Sequence, residues 1–157
     1  MPPAPHRFSD LDTVVDDLHA LFEAWEGDGT YAPPLDDFSL QVMKLAVHEW
    51  IANLVQHADF ASGDPRIAFA VTPNGRRVQC VIEDNSAGFD FERQLDEQDS
   101  LVRSSADAER GRGLLMMIAC TEDMRYEAPP TPRDADIRQR LEFWISATPA
   151  PCLDIPF

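Results

Sequence analysis

Between residues 11 and 57 the apolar positions of this 157-residue chain recur at helical spacing. In "SDLDTVVDDLHALFEAWE", Leu11, Val14, Val15, Leu18, Leu21, Phe22 and Trp25 fall on one helical face, and Ser9 or Asp10 is placed to cap it. "GDGTYAPP" reads as a loop. A second, longer helix begins at a cap of Asp36 or Asp37 and runs to about His57. Its apolar positions include Leu40, Met43, Val47, Trp50, Ile51 and Leu54.

After "ADFASGDP" the period drops to two. "RIAFAVTPNGRRVQCVIED" reads as two strands around Asn74-Gly75, a pair that favours a tight hairpin. On the second strand Val78, Cys80, Ile82 and Asp84 share one face, so the strand ends with a carboxylate on its apolar side. "IRQRLEFWI" alternates likewise, with Ile137, Gln139, Leu141, Phe143 and Ile145 set against Arg138, Arg140, Glu142 and Trp144. "EDMRYE" is a weaker strand candidate and "PHRF" a meagre one. "APPTPRDAD" reads as a loop and the Pro-rich "SATPAPCLDIPF" as an extended tail. From Asp90 to Arg110 the chain is polar, charged and weakly periodic, the mark of a mobile segment able to serve as a lid. "GRGLLMMIAC" then sets glycines at the head of an apolar helix, and no internal repeat is visible.

Composition narrows the class. With 44% hydrophobic and 26% charged residues the chain is ordinary for one globular domain. Its formal net charge of −15 leaves no basic footprint, so direct nucleic-acid binding is not expected. The acidity suits either a basic protein partner or a salty cytoplasm. Cys80, Cys120 and Cys152 form no CxxC spacing, so neither a disulfide framework nor a zinc ribbon is indicated. "MPPAPHRF" lacks the apolar core of a signal peptide, and "LLMMIAC" is too short to span a bilayer. A soluble cytoplasmic protein without membrane contact is expected.

Three stretches carry candidate chemistry. In "HEWIANLVQH", Glu49, Asn53 and His57 follow one another at intervals of four, each advancing about 40° around a helix. Taken alone, such a slanting polar ridge is more often a solvated helix edge than a pocket wall. A zinc-protease reading fails, because position 52 is Ala52 where the motif needs histidine. "EDNSAGFD" ends a strand in Asp84 and turns through Gly88. It is either a plain turn or a purine pocket, where an ionised carboxylate accepts an exocyclic amino hydrogen and a glycine lets backbone approach the ring. "ERGRGLL" is either a loop-to-helix turn or an anion cradle at a helix start. The common phosphate loop is excluded, since it needs a lysine after its second glycine and Lys44 is the chain's only lysine.

The order of these three stretches resembles the ATP-binding boxes of the Bergerat-fold ATPases, the superfamily of gyrase, heat-shock chaperones, sensor histidine kinases and mismatch-repair ATPases. Within it the chain is most similar to the stand-alone anti-sigma factor serine kinases, over roughly residues 10–146. The resemblance sets residues 1–9 apart as an N-terminal extension and 147–157 as a Pro-rich tail. By resemblance Glu49 polarises the attacking hydroxyl, Asn53 binds magnesium and ATP, and His57 closes the first box. Asp84 would bind adenine, with Gly88 closing over it. Gly111, Arg112 and Gly113 would sit at the phosphates, with Leu114 starting the helix. Three positions depart from the family pattern. Ser86 stands at the usual first glycine of the second box and resists positive φ, so the turn is expected to differ there. Arg110 replaces a common glycine, and Trp50 is bulkier than the usual neighbour of the glutamate.

The implied fold is a two-layer α/β (α+β) sandwich, a mixed, mostly antiparallel sheet covered by helices. The implied function is an ATP- and Mg2+-dependent serine/threonine-protein kinase acting in transcription and stress regulation. Its partners would be a sigma factor and an anti-sigma-factor antagonist that receives the phosphate, and it could be a homodimer. A rival reading is a non-catalytic partner-switching module, with ATP structural or absent. A third, a phosphorelay domain, would need a phosphohistidine route, and His19 lies on a short helix without paired dimerisation helices.

Overall fold

The computed structural model describes residues 5–27, 35–60, 64–88, 93, 96, 113–127 and 137–146. In chain order they form β1 (His6–Phe8), α1 (Val14–Gly27), α2 (Asp37–His57), β2 (Ile67–Asn74), β3 (Arg77–Asp84), α3 (Gly113–Cys120), β4 (Glu122–Glu127) and β5 (Gln139–Ser146). The five strands make one sheet in the order β1-β2-β3-β5-β4. All four pairings are antiparallel. This is the α/β architecture expected, and "PHRF" supplies its edge strand, so the sheet begins at His6, ahead of residue 10.

Strict alternation puts Ile67, Phe69 and Val71 of β2, Val78, Cys80 and Ile82 of β3, and Leu141, Phe143 and Ile145 of β5 on one buried face. Onto it pack Val14, Leu18, Phe22 and Trp25 of α1, Met43, Val47, Trp50, Ile51 and Leu54 of α2, and Met117 of α3. Helices α1 and α2 each contribute an apolar stripe at spacings of three and four, which is what a helix laid on a sheet must bury. The opposite sheet face is half-buried and mixed, with Ala68, Ala70, Val81 and Trp144 among polar and charged residues. Gln79 bonds Glu142 at 2.9 Å, Arg140 pairs with Glu142 at 2.9 Å, and the Arg77 guanidinium lies 4.4 Å from the Trp144 ring centroid.

Local signals set the element ends. Asp36 caps α2: its extended backbone turns the chain, and its Oδ1 accepts from the Ser39 amide at 2.7 Å. Hydrogen bonding from the Ser39 side chain, and then from its amide, holds the Asp36 carboxyl below its ordinary value. At α1 the expected cap at Ser9 or Asp10 is displaced. Asp10 accepts from the Asp12 amide at 2.9 Å and shapes a turn over 11–13, and the helix starts after Thr13, whose hydroxyl bonds Asp17 at 3.0 Å. The hairpin loop is Gly75-Arg76, one residue later than the Asn74-Gly75 pair suggests, because Asn74 still pairs with Arg77. Gly75 has φ +65°, and Arg76 is not at positive φ, the pattern of a type II′ turn. Helices α1 and α2 also meet through stacked His19 and His48, whose Nε2 and Nδ1 lie 3.1 Å apart. Lys44 reaches across as well, with its ammonium 5.9 Å from the centre of the Phe22 ring.

Candidate functional site

The ridge on α2 grades from buried to wet. Asn53 is only 7% exposed, Glu49 is half-buried, and His57, the last residue of the helix, is exposed. The Asn53 side-chain amide donates back to the Glu49 carbonyl at 2.7 Å. This bond engages Nδ2 and leaves the role of Oδ1 to whatever faces it. Asn53 and Glu49 sit at the margin of the buried stripe, not on the outer face where a merely solvated edge would lie.

The end of β3 supplies the second group. Asp84 continues the buried alternation of Val78, Cys80 and Ile82 and is 1% exposed. Its Oδ1 accepts twice from Ser86, from the amide at 2.9 Å and from the hydroxyl. Its Oδ2 is buried with no hydrogen-bond partner among the described residues. Burial raises the Asp84 carboxyl to about 6, and the two Ser86 bonds oppose that rise.

Ser86 also accepts from the Gly88 amide at 2.9 Å, closing the turn on itself. The turn differs from a glycine version by these bonds and not by strain: among the described residues Asp123 is the one non-glycine at positive φ. Gly88 has φ +85°. A Cβ there would stand 3.0 Å from Gln139 Cδ and 3.3 Å from the Tyr126 hydroxyl oxygen, so glycine is required by conformation and crowding together.

Two links fasten this turn to α2. The Ala87 amide donates to the carbonyl of Asp59, two residues past the helix, at 2.9 Å. Tyr126 of β4, which touches the Gly88 position, meets the fully buried Trp50 edge-on at 4.8 Å between ring centroids. Asn85 anchors the other flank, accepting from the Arg66 amide at 2.8 Å and donating to the Asp64 carbonyl at 2.7 Å. The bulky Trp50 is thus a core wedge between α2 and the sheet edge.

Of the third stretch, Gly113 is the first residue of α3 and Leu114 follows in its first turn. Gly111 and Arg112 lie outside the described residues, as does the Asp90–Arg110 stretch apart from Arg93 and Asp96, both helical and exposed. A cavity of about 280 Å³ opens at the end of β3, where Asp84 and Asn85 line it together with Arg7, Phe8, Arg66 and Glu83. Glu49 and Asn53 do not line it, so it is not a hollow shared by the helix and the turn.

Sequence reasoning missed the parts played by Ser86, Tyr126 and Gln139. Gln139 did leave a signal, an amide at a core-facing position of an otherwise apolar alternation, and it pairs in register with Asp84. The residues present fit a purine. A buried acceptor without a donor costs about 1–3 kcal/mol, which an exocyclic amino group would relieve. The space a Cβ on Gly88 would take is filled by Gln139 and Tyr126, so this fit rests on the Asp84 oxygen.

No helix among the described residues is long and apolar enough to cross a membrane. A search of the curated proteins finds no match to the chain. The family described as the histidine kinase-like ATPase domain matches residues 14–138, which is most of the chain and takes in α2, the Asp84 turn and α3. With residues 14–138 matched, the chain belongs to the histidine kinase-like ATPase domain family, a membership that implies ATP binding.

Proposed function

We propose that the protein is a serine/threonine kinase that sequesters a sigma factor and phosphorylates an anti-sigma-factor antagonist. The observation that carries the reading is the half-buried Glu49, one helical turn before the buried Asn53 and on the helix tied to the Asp84 turn. ATP would supply the phosphoryl group, and magnesium the charge neutralisation that phosphoryl transfer requires. Asp84 Oδ2 would accept the adenine amino hydrogen, with Gly88 admitting the ring beside it. Asn53 would offer its amide oxygen to magnesium, as a neutral oxygen ligand suits an ion held mainly by phosphates and water. Gly111, Arg112 and Gly113, at the head of α3, would present amide hydrogens and a guanidinium to the phosphates. Glu49 would orient an incoming serine or threonine hydroxyl and take its proton. The net charge of −15 favours a partner with a basic docking face, which supports sigma-factor capture.

The test is transfer of labelled phosphate from ATP to candidate antagonist proteins in the presence of magnesium. Wild type should transfer, and Glu49→Ala should lose about 10²-fold or more in rate while still binding ATP. ATP binding by calorimetry with no transfer to any antagonist would replace the kinase with a non-catalytic partner-switching module.

A further inference from the structure

We propose that Ser86 is a positioning residue that orients the Asp84 carboxylate for purine selection. The inference deepens the reading of Asp84 as the adenine acceptor and rests on it. A carboxylate has two equivalent oxygens, and a freely turning one presents either to a ligand. Here the Ser86 amide and hydroxyl both donate to Oδ1, which fixes the rotation of the group and leaves Oδ2 as the oxygen without a partner among the described residues. The same hydroxyl oxygen accepts from the Gly88 amide at 2.9 Å, so carboxylate orientation and the glycine turn are set by a single side chain. Ser86 is fully buried, so water does not compete for these bonds. A glycine at this position could supply the amide donor but neither the hydroxyl donor nor the acceptor for Gly88.

The consequence is discrimination at the purine 6-position. An oxygen held as a pure acceptor rewards the amino group of adenine and opposes the carbonyl of hypoxanthine. The experiment compares ATP and inosine triphosphate binding by calorimetry in wild type, Ser86→Ala, Ser86→Gly and Asp84→Ala, with thermal unfolding of each variant as a folding control. Wild type should prefer ATP. Ser86→Ala and Ser86→Gly should lose about tenfold in ATP affinity with little change toward inosine triphosphate, so that the ratio narrows. Equal losses toward both nucleotides would mean a turn that has merely loosened, and would overturn the orienting role. An unchanged ratio in both Ser86 variants, with Asp84→Ala still abolishing ATP binding, would refute Ser86 alone and leave Asp84 as the adenine acceptor. Absence of ATP binding by wild type would sink both.

Discussion

Asp84 is a carboxylate held where carboxylates are costly. Its folded value of about 6 lies above its ordinary 3.8, so between these values the folded chain keeps a proton that the unfolded chain has released. Stability from this group therefore falls as pH rises from about 4 to about 6 and stays low above, a loss of about 3 kcal/mol at full ionisation. Asp84→Asn removes the charge. Without nucleotide, its urea-unfolding free energy relative to wild type should climb by up to about 3 kcal/mol between pH 4 and pH 7 and then level off. A difference that does not vary with pH would refute the burial cost. The carboxylate was legible in the sequence, because alternation put Asp84 on the apolar face of its strand. Ser86 was not: one letter gives a small polar residue in a turn, and only coordinates show its hydroxyl bonding two partners at once.

At the scale of elements, Gly75 and Gly88 share positive φ but not surroundings. Among the described residues nothing lies within 4 Å of a Cβ on Gly75, whereas one on Gly88 meets Gln139 and Tyr126. Gly75→Ala should cost more than about 1 kcal/mol from the backbone alone. Gly88→Ala should cost at least as much and should also weaken ATP binding, which Gly75→Ala leaves intact. Denaturant titrations beside nucleotide titrations check both, and ATP binding unharmed by Gly88→Ala would remove Gly88 from the site. Long periodic elements were readable because many residues vote on one face: α2 carries nine buried residues, and β3 alternates without a break. β1 has three residues, too few for a period to show, and its place follows from pairing with β2. The start of α1 was misplaced because Asp10 bonds the Asp12 amide and closes a separate turn, and it is the Thr13 carbonyl that accepts the first helical bond, from the Asp17 amide.

On the scale of the whole molecule, 28 acidic residues face 13 basic ones, and the excess repels itself across a small surface. Raising sodium chloride from about 50 to about 500 mM shortens the screening length several-fold. The thermal midpoint should rise by about 2–5 °C, a shift on the order of 1 kcal/mol. No rise would mean that the acidic groups are spread widely enough to cost little. Charge and composition could be counted from the letters, but the meeting of the α2 exit with the Asp84 turn could not. It depends on Asp59 and Ala87, twenty-eight positions apart, joined by one backbone bond.

The middle strand carries one more consequence. Cys80 lies fully enclosed on β3, paired on both sides by Val71 and Phe143, with its thiol pushed far above the range in which it reacts. An alkylating reagent reaches that sulfur only when β3 peels away from its neighbours, so the rate of its modification counts those excursions. The chain carries its own clock for the opening of the strand that ends in Asp84.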